Sequence, residues 1–142
     1  MPLTKIEHYL VLTDDLEATR DFYVQALGMH QGDRPPLAFP GYWVYVGDTP
    51  CIHIAEWQTY TAHSLGKGIP VSTRAGGTGP VDHIAFHGHD YDDIVRRLES
   101  HGTAFIRNDR PNGTLRQLFL QDPNGVKIEI NLNLPMPKGR GL

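Results

Sequence analysis

Residues 6–28, IEHYLVLTDDLEATRDFYVQALG, change period part-way along. Over 6–13 the side chains alternate as in a strand, and Asp14-Asp15 supplies a helix N-cap. Leu16, Tyr23 and Leu27, with Phe22 beside them, then fall at helical spacing up to Gly28, which is placed to end the helix. The same switch recurs at 81–102, VDHIAFHGHDYDDIVRRLESHG. There 81–87 is strand-like, Asp90 is placed as a cap, and Tyr91, Ile94, Val95 and Leu98 form a helical stripe that Gly102 closes. The chain is built twice.

Behind each helix come three short β-type segments, about 29–33, 42–47 and 50–56 in the first half and about 103–107, 115–121 and 126–132 in the second. Asp48-Thr49-Pro50 and Asp122-Pro123-Asn124-Gly125 read as matching hairpin turns before the last strand of each half. Each half is therefore β-α-β-β-β, and the fold class is α+β: two tandem modules, about 4–62 and 81–132, within one domain spanning 1–142. The connector 64–80, SLGKGIPVSTRAGGTGP, has the composition of a flexible hinge or lid. Its AGGTG lacks the Lys-Ser/Thr of a phosphate-binding loop and precedes a strand where such a loop precedes a helix. The tail 133–142, NLPMPKGRGL, is broken by Pro and Gly and expected to be flexible. One module alone leaves a sheet face uncovered, so the two are expected to pair within the chain or between two chains of a homodimer.

The 142 residues carry 13 Lys+Arg against 16 Asp+Glu, a net charge of -3, 39% hydrophobic and 20% charged residues. That composition buries a core and argues against nucleic acid as the main partner. One cysteine makes no internal disulfide, which points to a reducing cytoplasm. No apolar run approaches the roughly 18 residues of a membrane span, and MPLTKIEHYL has no signal-peptide pattern. The departure is histidine, eight in all.

Where they fall is informative. His8 and His83 open the first strands of the two halves, 75 positions apart, and His53 and Glu129 occupy the last strands, 76 apart. Strand alternation opposes His53 to Ile52 and Ile54, Glu129 to Ile128 and Ile130, and His83 to Ile84 and Phe86. In 8–12 the split is softer, with Tyr9 and Val11 opposing His8 while Leu10 and Leu12 share its face. The apolar faces are expected to take the helices and the opposite faces to gather His8, His53, His83 and Glu129. His87 and His89 read as a solvated strand end; His30, His63 and His101 read as surface residues. Cys51 reads as a small buried residue, and Glu56 as lying on the face opposite His53. The proline-stiffened stretch 34–43, RPPLAFPGYW, leads aromatic residues toward that face, and Phe39, Tyr42, Trp43, Tyr45 and Phe119 are candidates to pack against a planar substrate.

Glu7-His8-Tyr9, the following DDLEATRDFYVQALGM, Val81-Asp82-His83-Ile84-Ala85-Phe86 and DPNGVKIEI at 122–130 together resemble the vicinal oxygen chelate superfamily over about residues 5–132. The resemblance implies two βαβββ modules forming an open, cup-like mixed sheet around a divalent metal. It assigns His8, His83 and Glu129 as ligands, a facial triad that favours Fe(II) and also accommodates Mn(II), Ni(II), Co(II) or Zn(II). It assigns His53 to acid–base catalysis or to a fourth ligand position. The activity implied first is extradiol-type ring cleavage of a catecholic compound with O₂ as co-substrate. The alternatives are a glyoxalase-like lyase or epimerase/isomerase working through a metal-stabilised enediolate, and a resistance-type protein that binds a drug without catalysis. Leu115 and Phe119 stand where the ring-cleaving signature carries His and Tyr, so proton donors must come from elsewhere; Tyr42, Tyr45, Arg116 and Gln117 are nearest in sequence.

Overall fold

Strand β1 (Tyr9–Thr13) buries Val11 and Thr13 on one face and leaves Leu10 and Leu12 half-buried on the other. Its end is fixed to the next element by hydroxyls: Thr13 Oγ1 receives the Asp15 N–H at 3.0 Å and the Thr19 hydroxyl at 3.0 Å. Asp15 then caps helix α1 (Leu16–Asp21) by accepting the Ala18 N–H. The expected continuous helix to residue 27 is not what forms. From Phe22 to Ala26 the backbone widens into a π-helical turn, closed at Gly28 with φ 73°. The extra residue per turn brings adjacent Phe22 and Tyr23 inward together with Ala26, at 2%, 0% and 0% exposure, and leaves Leu27 half-buried.

The computed structural model describes residues 2–74, 76–109 and 115–133. They fall into two units, Met1–Ala75 and Gly76–Leu142. In the first, β2 (His30–Gly32), β3 (Gly41–Val46) and β4 (Thr49–Glu56) complete a four-stranded mixed sheet in the order β1-β4-β3-β2. Strand β1 runs parallel to β4, pairing Leu10 with His53, while β3 runs antiparallel and pairs Trp43 with His53. The β3–β4 turn is Gly47-Asp48, one residue earlier than expected: Val46 pairs with Thr49, Gly47 takes φ 56°, and Thr49-Pro50 already belong to β4. Helix α2 (Trp57–Lys67), unforeseen in the sequence, follows β4 directly and ends at Gly68 in the left-handed region. The connector thus begins at about Gly68, and Ser64 is buried in the helix.

The second unit repeats the topology. Strands β5 (Ile84–Gly88), β6 (Phe105–Asp109), β7 (Leu115–Gln121) and β8 (Lys127–Asn133) are ordered β5-β8-β7-β6, with β5 parallel to β8. Helix α3 (Tyr91–His101) is capped by Asp90, whose carboxylate accepts the Asp93 N–H, and closes at Gly102. The Asp122 turn is as expected: Asp122 Oδ1 accepts the Asn124 and Val126 N–H groups at 2.8 and 2.9 Å. Asn133 ends β8, and 134–142 lies outside the described residues. Val44, Ile52 and Ile54 of the first unit and Leu120, Ile128 and Ile130 of the second fill equivalent core positions, none more than 6% exposed. Among the described residues no helix is long and apolar enough to cross a membrane.

Gly41 opens β3 where the β4 backbone comes closest; a Cβ there would fall on the Ile54 carbonyl oxygen. Gly41→Ala is therefore expected to push β3 off β4 and to cost about 1–3 kcal/mol, measured as a lower urea midpoint at unchanged slope.

Candidate functional site

His8 and His83 each stand immediately before the first strand of their unit. Both are preceded by a carboxylate that engages the imidazole: Glu7 Oε1 lies 2.9 Å from His8 Nδ1, and Asp82 Oδ2 lies 2.8 Å from His83 Nδ1. A carboxylate only accepts, so each Nδ1 carries a proton, and in the neutral imidazole this leaves the lone pair on Nε2. Glu7 and Asp82 were not singled out in the sequence, although the acidic-His pair recurs at the spacing of the repeat.

In the first unit His8 reaches His53. Their rings stack with centroids 3.7 Å apart and 14° between planes, and the other face of His53 lies on the Trp43 indole at 4.1 Å and 8°. Burial in this sandwich, helped by the neighbouring His8 imidazole, pushes the His53 pKa down to about 4; a backbone hydrogen bond at Pro50 and the Glu7 charge oppose it. His53 is therefore neutral at pH 7 and able to accept a proton.

In the second unit His83 Nε2 lies 3.6 Å from Glu129 Oε1, whose side chain is 14% exposed. The other oxygen, Oε2, accepts from Asn131 Nδ2 at 2.7 Å. Asn131 Oδ1 accepts from Gln117 Nε2 at 2.9 Å, and Gln117 Oε1 accepts from Asn108 Nδ2 at 2.8 Å. Phe119 pairs with Glu129 across β7 and β8, as Trp43 pairs with His53 across β3 and β4. The His83 hydrogen bond, joined by Lys127 Nζ at 2.9 Å from Asp82 Oδ2, keeps the Asp82 pKa below its ordinary value.

Each unit thus brings two of the four singled-out residues together, and among the described residues no group of three His, Cys, Asp or Glu side chains is arranged to hold a metal ion. Taken one by one, the imidazoles of His8 and His83 and the Glu129 carboxylate, with one oxygen tied back, are the nitrogen and oxygen donors that divalent metals take.

The aromatic candidates divide. Trp43 and Phe119 share the faces of His53 and Glu129. Tyr42 does not: its hydroxyl donates to Glu17 of α1 at 3.1 Å and its ring lies under Arg20, on the opposite face of β3. Tyr45 donates to the Asp33 carbonyl at 2.6 Å and stacks on exposed His30. Phe39 packs edge-on against Tyr60 of α2 at 4.9 Å and against His63 at 4.8 Å. His63, expected on the surface, is accordingly half-buried, because α2 folds over the proline-rich loop. Glu56 ends β4, immediately before α2, and accepts from Thr59; Arg116 lies over Tyr91, away from Glu129.

Residues 5–130 match the sequence profile of the Glyoxalase/Bleomycin resistance protein/Dioxygenase superfamily. The chain belongs to this superfamily. A relative from Arabidopsis thaliana, "Glyoxylase I 4", is 31% identical over 132 residues, covering 90% of this chain and 70% of its own length. The Rhodococcus globerulus "Biphenyl-2,3-diol 1,2-dioxygenase 2" is 25% identical over 91% of this chain, which spans 63% of that protein. The crystal structure of lactoylglutathione lyase from Agrobacterium tumefaciens superposes with TM-score 0.66 at 22% identity, covering 92% of this chain and 95% of that one, a likeness of fold. The superfamily includes lyases and dioxygenases, and its members bind divalent metals and act on small molecules.

For this superfamily member the His53 sandwich has a consequence for stability. The unfolded imidazole titrates near 6.5 and the folded one near 4, so between these values the unfolded chain binds a proton that the folded chain refuses. Stability of the metal-free protein is expected to be fullest above pH 6.5 and to fall as pH drops toward 4. In His53→Asn that part of the pH dependence disappears, as read by thermal melts across the window.

Proposed function

We propose that the chain is a metal-dependent enzyme acting on a small substrate with vicinal oxygens, and that its reaction is extradiol-type cleavage of a catecholic ring. His8, His83 and Glu129 hold the metal, Fe(II) by preference. The observation that carries this reading is the duplicated carboxylate–imidazole pair, Glu7–His8 and Asp82–His83, which fixes both imidazoles in the tautomer a metal requires. Held by two imidazoles and one carboxylate, such an ion supplies a Lewis acid with open positions for a chelating substrate. A complete ligand set takes one copy of each unit, from the same chain or from two chains of a homodimer. Cys51, a lone thiol whose pKa burial raises, fits a reducing cytoplasm.

His53 serves as the base. It is neutral at pH 7, its ring is clamped between Trp43 and His8, and it takes the proton of a substrate hydroxyl. Trp43 and Phe119 offer flat apolar surface to a planar ring. A second reading, a glyoxalase-like lyase or isomerase in which His53 removes a proton from carbon, draws support from the 31% identity to the Arabidopsis glyoxylase.

The metal is tested first. Anaerobic loading followed by metal analysis should give one Fe(II) per ligand set in the wild type and none in His83→Ala or Glu129→Ala. Glu7→Gln and Asp82→Asn should bind it about 10–100-fold more weakly. His53→Ala should keep the metal and lose turnover, whereas a metal loss as large as that of His83→Ala would make His53 a ligand. Oxygen uptake by the Fe(II) protein with a panel of catechols separates the two reactions. Silence across that panel, with Ni(II)- or Co(II)-dependent turnover of a hemithioacetal, would transfer the assignment to the lyase.

A further inference from the structure

The two units differ most where the repeat should make them alike. In the second unit the pair next to Glu129 on its face is Gln117–Asn131, two full carboxamides. The equivalent pair next to His53 is Gly41–Ala55, which leaves almost no side chain. That space is filled from outside the sheet by Arg34. Its Nη2 would lie 3.1 Å from a Cβ built on Gly41, donates to the Phe39 carbonyl at 2.7 Å, and the guanidinium stands 5.2 Å from the Phe39 ring centre.

The guanidinium is poorly matched by its surroundings. Arg20, Arg74, Arg96, Arg97 and Arg116 each hold an aspartate. Half-buried Arg34 holds no carboxylate among the described residues; a single backbone carbonyl takes one of its five N–H donors. Burial works against its charge. A loop staple would need the carbonyl contact alone. A desolvated cation with a free fork, beside the proposed base and within an aromatic loop, lacks only an anion.

We propose that Arg34 is the anion-binding residue of a subsite beside His53, and that the substrate carries a carboxylate or comparable oxyanion at the end held there. The inference rests on the reading of His53 as the reaction centre and adds to it the class of substrate, a planar vicinal-oxygen compound with an anionic arm. Gly41 and Ala55 are small because the guanidinium occupies their face of the sheet.

The test compares protocatechuate with its neutral carboxamide by isothermal titration, in metal-free and in anaerobic Fe(II)-loaded protein, for the wild type, Arg34→Met and Arg34→Lys. Wild type should bind the acid on the order of tenfold more tightly than the amide, in both forms. Arg34→Met should lose that ratio while keeping its affinity for the amide and its Fe(II) content. Arg34→Lys, which keeps the charge without the fork, should retain part of the ratio. A wild-type ratio near one, failure of the acid to bind, or a ratio that survives in Arg34→Met overturns the proposal. Failure to take up Fe(II), with the ratio intact in the metal-free protein, would overturn the metal reading and leave the subsite standing.

Discussion

The parallel pairing of the first strand of each unit with its last is the constraint from which the remaining geometry follows. Two parallel neighbours cannot be joined by a hairpin, so a crossover must intervene; here it includes a helix and two further strands. The pairing also sets the register. Leu10 lies opposite His53 and Ala85 opposite Glu129, so the residues two positions earlier, His8 and His83, are diagonal neighbours of His53 and Glu129 on the face away from the helices. A slip of one residue in β4 would turn Ile52 and Ile54 outward and His53 into the core. Exposing those two isoleucines costs about 1.5–3 kcal/mol each, before the imidazole is desolvated, so the register is firmly held.

This explains which features could be read from the sequence. The repeat was legible because its two carriers, the switch from period two to helical period and the isoleucines flanking His53 and Glu129, are local patterns with one physical solution. The caps Asp15 and Asp90 and the Asp122 turn were legible because a short carboxylate satisfying nearby N–H groups needs only its neighbours in sequence. Helix α2 was not, since WQTYTAHSLGK carries no clear apolar stripe and contains two Thr and one Gly, residues of poor helix propensity. Tyr42 was misassigned because five consecutive residues, YWVYV, are apolar or aromatic, and only the pairing of Trp43 with His53 decides which of them face away from the helix. The amides around Glu129 depend on β6–β7–β8 register and so were invisible from spacing along the chain.

The same topology carries opposite electrostatics in its two halves. Around His53 the surroundings are flat and apolar, an indole on one side and an imidazole on the other, and they keep the ring uncharged. Around Glu129 they are polar and directional. An ionised carboxylate offers no proton, so Asn131 must turn its NH₂ to Oε2 and its oxygen outward; Gln117 must then donate to Asn131, and Asn108 to Gln117. Each amide dipole in the row points its positive end toward the carboxylate, and each bond polarises the next. The amide row thereby engages Glu129 through Oε2 alone. Oε1, the oxygen beside His83 Nε2, is left as the one with its lone pairs facing the imidazole. A duplicated scaffold thus yields, by substitution of a few lining residues, a stacked, neutral imidazole in one half and a carboxylate anchored by a row of amides in the other.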